Sequence, residues 1–364
     1  MRTGIANLPL HWGKAPPWLF DRMKKLAREI TYIIVAEYGQ DEFLKRLSDP
    51  FWFQSLGCVL GFDWHSSGVT TTVGGALKEG LKGLEKELGL VVVGGKGRTS
   101  RKAPDEIVLW GERFSFVPSL VSKLVYASKM SAKVDTSCVQ DGFQLYHHNF
   151  IFTSKGNWAV IQQGMNPNLF SARRYHWISN ELKDFVEEPH KAICTEKKSK
   201  TLDLTARKSR KTRDLSVELV KEDFFGLLKD LSKIKRKRLE ILNLQKDHPI
   251  YKENFNIKRL ERIINQIKEK DPEDFERMLG IKGVGPKTIL ALSLICELIY
   301  GTKPSWKDPA RYSFAHGGKD GYPYPVQKTT YEKSIEILRE AIKRAKIERS
   351  EKIESLRALS YFYQ

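Results

Sequence analysis

Three stretches of the chain place groups suited to phosphodiester hydrolysis at the ends of apolar runs: "GFDWHSSGVTTTVGG" from Gly61, "KVDTSCVQDGFQLYHHNF" from Lys133 and "AVIQQGMN" from Ala159. Such hydrolysis recruits one or two hard divalent cations held by carboxylates, with His or Gln completing the shell. Asp63, Asp135 and Asp141 would supply the carboxylates, and His65, His147 or His148 a ligand or general base. Adjacent His147 and His148 point to opposite faces of a regular strand, so at most one serves a given site. Aromatic and β-branched runs flank Lys155-Gly156 and predict a β-hairpin with a two-residue turn, which sets His148 opposite Gln163 and Asn149 opposite Gln162. The expected centre is Asp63, Asp135, Asp141 and His148 around Mg2+ or Mn2+, with His65 and Gln163 completing the catalytic set. The same residues have plain structural readings, Asp63 and Asp141 as turn residues and the histidines as half-buried sheet residues.

A second motif, "MLGIKGVGPKTILALSL", runs from Met278 to Leu294. Gly283 and Gly285 around Val284 let the backbone reverse between two helices. Pro286 suits the first turn of the next helix, where its missing N–H costs nothing. Exposed amides and the positive helix end together form an anion site. The motif resembles the helix-hairpin-helix of DNA repair and replication proteins. That resemblance implies a grip on the DNA backbone by Lys282, Gly283, Val284, Gly285, Lys287 and Thr288, tolerant of sequence and weakened by salt. Some glycosylases of that superfamily carry a catalytic lysine at the position of Lys287 and an aspartate after the helix. Asp308 is the counterpart here, although it lies in "KDPARYSF" and not in an Asp-x-His pattern. In that alternative the Lys287 amine, its pKa lowered by burial, would attack the sugar C1′ of a flipped nucleotide. The clamp is favoured over the nucleophile. A further glycine-rich run, "VVVGGKGRTSRKAP", has neither the phosphate-loop nor the dinucleotide spacing and reads as a flexible basic loop offering Lys96 and Arg98 to DNA, with no nucleotide cofactor.

The elements that must position these groups follow from periodicity. "PPWLFDRMKKLAREITYIIVAEYG", "GGALKEGLKGLEKELGL" and "SLVSKLVYASKMSAKV" predict helices, and "VVVGG" a short buried strand. From Leu215 onward the pattern is helical almost throughout and closes on one amphipathic helix, "YEKSIEILREAIKRAKIERSEKIESL". The basic run from Lys191 to Arg213 reads as a linker or exposed excursion. The expected fold class is α+β: a mixed N-terminal domain over 1–190 with a β-hairpin, a linker over 191–214, and an all-α domain over 215–364 with the helix-hairpin-helix at 275–299. No internal repeat points to a solenoid.

Over 364 residues, Lys and Arg outnumber Asp and Glu by 62 to 44, and the formal net charge of +18 favours a polyanionic partner, DNA first. Cys58, Cys138, Cys194 and Cys296 form no C-x-x-C pair and read as reduced thiols. The N-terminal sequence lacks a secretory apolar core and no stretch is apolar enough to span a bilayer, so a cytoplasmic location is expected. The segments "RTGIANLPLHWGKAPPWLF", "KVDTSCVQDGFQLYHHNF", "WAVIQQGMN" and "DPARYSFAHGGKDGYPYP" resemble an uncharacterised prokaryotic family, common in heat-loving archaea and catalogued as a domain of unknown function. The resemblance implies an intracellular protein and supplies no activity. Abundant Lys and Glu are compatible with a thermophilic source. Three functions follow as expectations: a metal-dependent deoxyribonuclease first, then a glycosylase and lyase using Lys287 and Asp308, then a non-catalytic DNA-binding repair protein.

Overall fold

The computed structural model describes residues 15–62, 67–195, 197–222, 226, 227, 229, 255–310 and 328–360. Pro17 opens helix α1 (Pro17–Tyr38), whose apolar spacing buries Met23, Leu26, Ile30 and Ile34 on one side. Helices α2 (Gln40–Ser48), α3 (Pro50–Val59) and α4 (Gly68–Gly80) follow. Asp49 caps α3 by accepting a hydrogen bond from the Trp52 amide at 2.8 Å. The second helix expected from the sequence divides, because a turn closed by Leu84 N to Leu81 O at 2.9 Å separates α4 from a short α5 (Glu85–Leu88).

Strand β1 (Leu90–Lys96) comes next, then helices α6 (Ala103–Arg113) and α7 (Pro118–Ser137). The remaining strands are β2 (Val139–Gln140), β3 (Gln144–Thr153), β4 (Trp158–Asn166), β5 (Ser171–Ile178), β6 (Ala192–Cys194) and β7 (Leu202–Asp203). Five of them form an antiparallel sheet in the order β1-β3-β4-β5-β6, and β2 pairs with β7. Both faces of the larger sheet are covered. Val91, Val93, Phe150, Phe152, Val160 and Trp177 pack with α6 and α7 and share one core with residues 260–298. Leu90, Val92, Ile151, Ala159 and Ile161 face the other way, onto α1, α3 and α4. Burial on both sides is why the central strands read as nearly continuous apolar runs.

The C-terminal part is helical: α8 (Arg210–Glu222), α9 (Ile257–Lys270), α10 (Phe275–Gly280), α11 (Pro286–Leu298), α12 (Lys328–Arg344) and α13 (Arg349–Ser360). The last two replace the single closing helix expected from the sequence. The chain breaks over 345–348, where Ala345 is buried and the Lys346 amide donates to Glu29 of α1 at 3.1 Å, a tertiary contact that helical periodicity does not reveal. Through these two helices the end of the chain packs back on α1 and α3.

Three further expectations change. The β3–β4 hairpin pairs His148 with Gln162 and His147 with Gln163, one residue out of the expected register. The cause is the turn: Thr153 N bonds to Asn157 O at 2.9 Å around three residues, with Gly156 at φ +85°. A slip of one residue moves every side chain of β4 to the opposite face. The basic run after Lys191 is no free linker, since it forms β6 and β7 and buries Ile193, Cys194, Leu202 and Leu204. Finally, Gly94, Gly95 and Lys96 belong to β1, paired with Asn149, His148 and His147, so the glycine-rich run is half strand before it becomes a 3-10 turn over Gly97–Lys102.

Candidate functional site

Helices α10 and α11 are joined by a tight reversal. Asp274 caps α10 by accepting from the Arg277 amide at 2.7 Å, Val284 N bonds to Ile281 O at 3.2 Å, and Ile289 N bonds to Gly285 O at 3.0 Å as α11 begins. Gly283 sits at φ +98°, a conformation that a residue with a Cβ adopts only under strain. Ile281 and Val284 are buried and anchor the turn, while Lys282, Gly283, Pro286 and Lys287 are exposed. Two side chains from the sheet-bearing half fix the reversal from behind. Lys133 of α7 donates to the Val284 carbonyl, and Gln140 donates to the Pro286 carbonyl at 3.0 Å. Burial pulls the Lys133 amine below its ordinary range. The carbonyls are thus held inward, and among the described residues no group accepts from the amides of Gly283 or Gly285. Thr288 is buried, so it packs within α11 and presents no hydroxyl to a ligand; Val284 can offer only its backbone.

The alternative pair does not form. Asp308 accepts from Arg173 at 2.7 Å, from the Ser199 amide at 3.0 Å and from the Ala310 amide at 2.9 Å. Lys287 is exposed at the surface and is not one of these partners of Asp308.

The expected metal centre separates into different surroundings. Asp63 and His65 lie outside the described residues. Asp135, fully buried on α7, accepts from Gln162, from Trp177 Nε1 at 3.1 Å and from His190 Nε2. His148 bonds through Nδ1 to Gln162 Oε1 at 2.7 Å and through Nε2 to Ser128 at 2.9 Å, touching neither carboxylate. Asp141 accepts from Arg173 at 2.9 Å, from Tyr175 at 2.6 Å and from the Phe143 amide at 2.9 Å. Burial pushes the Asp141 carboxyl up to about 6, against the pull of Arg173, Tyr175 and the amide. Both carboxylates are already enclosed by protein donors, and among the described residues no group of three His, Cys, Asp or Glu is arranged to hold a metal ion. Gln163 lies on the other face, donating to the Ser67 carbonyl at 2.8 Å and to Tyr146 at 2.5 Å and accepting from Thr70. Lys96 and Arg98 are exposed where β1 ends, the Lys96 amine standing 5.9 Å from the Tyr146 ring centroid.

Two residues that the sequence reading passes over organise these networks. Arg173, fully buried, bridges Asp141 and Asp308. His190 closes the chain Ser128, His148, Gln162, Asp135. "SARRYHW" carries the signal for the first: two adjacent arginines inside a strand must find buried acceptors on opposite faces. A lone histidine in "EEPHKAI" offers no comparable signal.

The geometry defines an α+β protein in which a two-layered helical cover encloses an antiparallel sheet and one cover carries a lysine-flanked two-helix hairpin. Residues 4–326 match the family described as "Protein of unknown function (DUF763)", and the chain belongs to that family. No curated protein and no solved structure matches it. Among the described residues no helix is long and apolar enough to cross a membrane.

Proposed function

We propose that the protein is a DNA-processing protein that holds the nucleic-acid backbone at the hairpin between α10 and α11. The observation that carries this reading is the orientation of the turn. Lys133 binds the Val284 carbonyl from inside, while among the described residues no group accepts from the amides of Gly283 and Gly285, which lie between exposed Lys282 and Lys287. Outward amides, a helix N-terminus and two cations suit a phosphodiester oxygen. The net charge of +18 adds long-range attraction for a polyanion. Contacts of this kind hold the backbone and leave base edges unread.

Fluorescence anisotropy with labelled single-stranded, duplex and branched DNA tests the proposal. Binding is expected to vary little with sequence. The double variant Lys282→Glu, Lys287→Glu is expected to weaken it roughly ten-fold or more and to lower the salt slope by about two. Unchanged affinity and slope in a variant with an unchanged melting profile would remove the hairpin as the grip.

A further inference from the structure

Among the described residues, His190 is the member of the buried α7–sheet network that lines an open cleft. The cleft, of about 800 Å³, lies between β6, β7 and the segment 305–310, and is lined among others by His190, Lys198, Ser199, Asp203, Trp306 and Lys307. The His190 side chain is 7% exposed, and its Nε2 is fixed on fully buried Asp135. That bond defines which nitrogen is turned inward. Among the described residues nothing bonds to Nδ1, the remaining basic or acidic position of the ring. Asp135 is itself held by Gln162 and Trp177, so the imidazole is oriented by a carboxylate that has no freedom to turn. A cleft-lining histidine held through one nitrogen by a buried carboxylate, with its second nitrogen unbonded among the described residues, is equipped to carry a proton to and from a bound molecule.

The charges around the cleft indicate what that molecule is. Asp308 shares Arg173 with Asp141, Glu188 pairs with Arg207 at 3.3 Å, and Lys191 pairs with Glu181 at 2.6 Å. Asp203 accepts from the Thr205 amide at 2.9 Å and from its hydroxyl at 2.6 Å, and burial raises its carboxyl above the usual range. Lys198 and Lys307 are exposed and, among the described residues, pair with no carboxylate. Lys198, Lys307 and the fixed imidazole thus line one cleft, a set of groups that suits a phosphate ester. One helix ties it to the hairpin: α7 supplies Lys133 to the Val284 carbonyl and Asp135 to His190. Residues two apart on a helix point to different sides, so a single rigid element registers the backbone grip against the cleft.

We propose that this cleft is a phosphodiester-hydrolysing site in which Lys198 and Lys307 hold the phosphate, His190 is the catalytic acid and base, and Asp135 is its positioning residue. In the step, water adds its oxygen to phosphorus as its proton passes to His190 Nδ1. The phosphorus–oxygen bond to the leaving alcohol breaks, and the imidazolium returns the proton to that alkoxide. One water is consumed, and a phosphomonoester and an alcohol are released. The proposal rests on the nucleic-acid reading for its natural substrate, and DNA and RNA share the chemistry.

The test uses the full chain with bis(4-nitrophenyl) phosphate, a diester too small to need the hairpin, and in parallel with DNA and RNA oligonucleotides. Nitrophenol release is expected from the unaltered protein and is expected to fall about 100-fold or more in His190→Gln. Lys198→Ala with Lys307→Ala should raise KM, and Asp135→Asn should lower kcat with KM unchanged. The two oligonucleotide arms assign the natural strand. Thermal melts establish that each variant folds, and the exposed lysine pair keeps the test open if a network variant does not. Absence of release by the unaltered protein, or full release by folded His190→Gln, overturns the proposal. Release that persists while DNA binding fails would instead retain the cleft and discard the hairpin.

Discussion

His147 and His148 are neighbours in the chain and opposites in the fold. His148 points into the face covered by α7, where both ring nitrogens are bonded, to Gln162 and Ser128. His147 points toward α4, and neither of its ring nitrogens has a hydrogen-bond partner among the described residues. The same division runs along β5. Arg173 and Tyr175 enter a network containing Asp141 and Asp308, whereas Arg174 donates to the neutral acceptors Gln54 at 2.9 Å and Thr70 at 3.3 Å. One face joins its buried polar groups into chains that end at a cleft. On the other, Arg174, Thr70, Gln54 and Gln163 bond among themselves and His147 does not join them among the described residues. Burial of a polar residue alone is therefore no sign of a functional site; the connectivity of the network is what separates the two faces.

The largest expected effect comes from breaking the denser network at its centre. Arg173→Met leaves Asp141 and Asp308 buried without their common partner, and urea unfolding should show a loss of about 3–5 kcal/mol. A milder result, near that of a surface substitution, would mean that the carboxylates find other donors. His148→Phe strands Ser128 and the Gln162 carbonyl and is expected to lose about 1–3 kcal/mol in the same assay. His147→Phe removes a ring that lacks bonds and should stay within about 1 kcal/mol of the unaltered protein, the smallest change of the three. Equal losses for the two histidine variants would erase the contrast between the faces.

Acid sharpens the same comparison. Burial holds His147 neutral down to about 3 against an ordinary value of 6.5. Its folded value is depressed, so the unfolded chain takes up the proton first. The contribution of His147 is complete above pH 6.5 and is lost progressively as pH falls toward 3. Asp141, raised from 3.8 to about 6, contributes in the opposite sense between those values, so the difference between two proteins is more informative than either curve. The melting temperature of His147→Phe should decline less steeply than that of the unaltered protein below pH 6.5, and parallel curves would contradict the assignment.

Much of the architecture is legible in the sequence. Apolar spacing reveals α1 and α7, and glycine spacing around Val284 reveals the reversal before α11, because both signals are local. The β3–β4 pair is legible as a pair, but its register depends on whether Ser154 joins the turn, which the Lys-Gly signal does not decide. The candidate metal residues look alike in composition and separate in space, since Asp135 is claimed by His190 and Asp141 by Arg173, partners 55 and 32 positions away along the chain. The run after Lys191 misleads for another reason. Its lysines stay in solvent while Ile193 and Leu202 go inward, so net charge masks two short strands.

Under the proposed function, the Gly283-Val284-Gly285 reversal meets a phosphate backbone. Amide NMR of the isotope-labelled full chain, titrated with a short DNA duplex in low salt, tests it most directly. The Gly283 and Gly285 resonances, with those of Lys282 and Lys287, are expected to move together and saturably, and to return as salt is added. Duplex that leaves these amides in place while shifting others, or that shifts none, would contradict it.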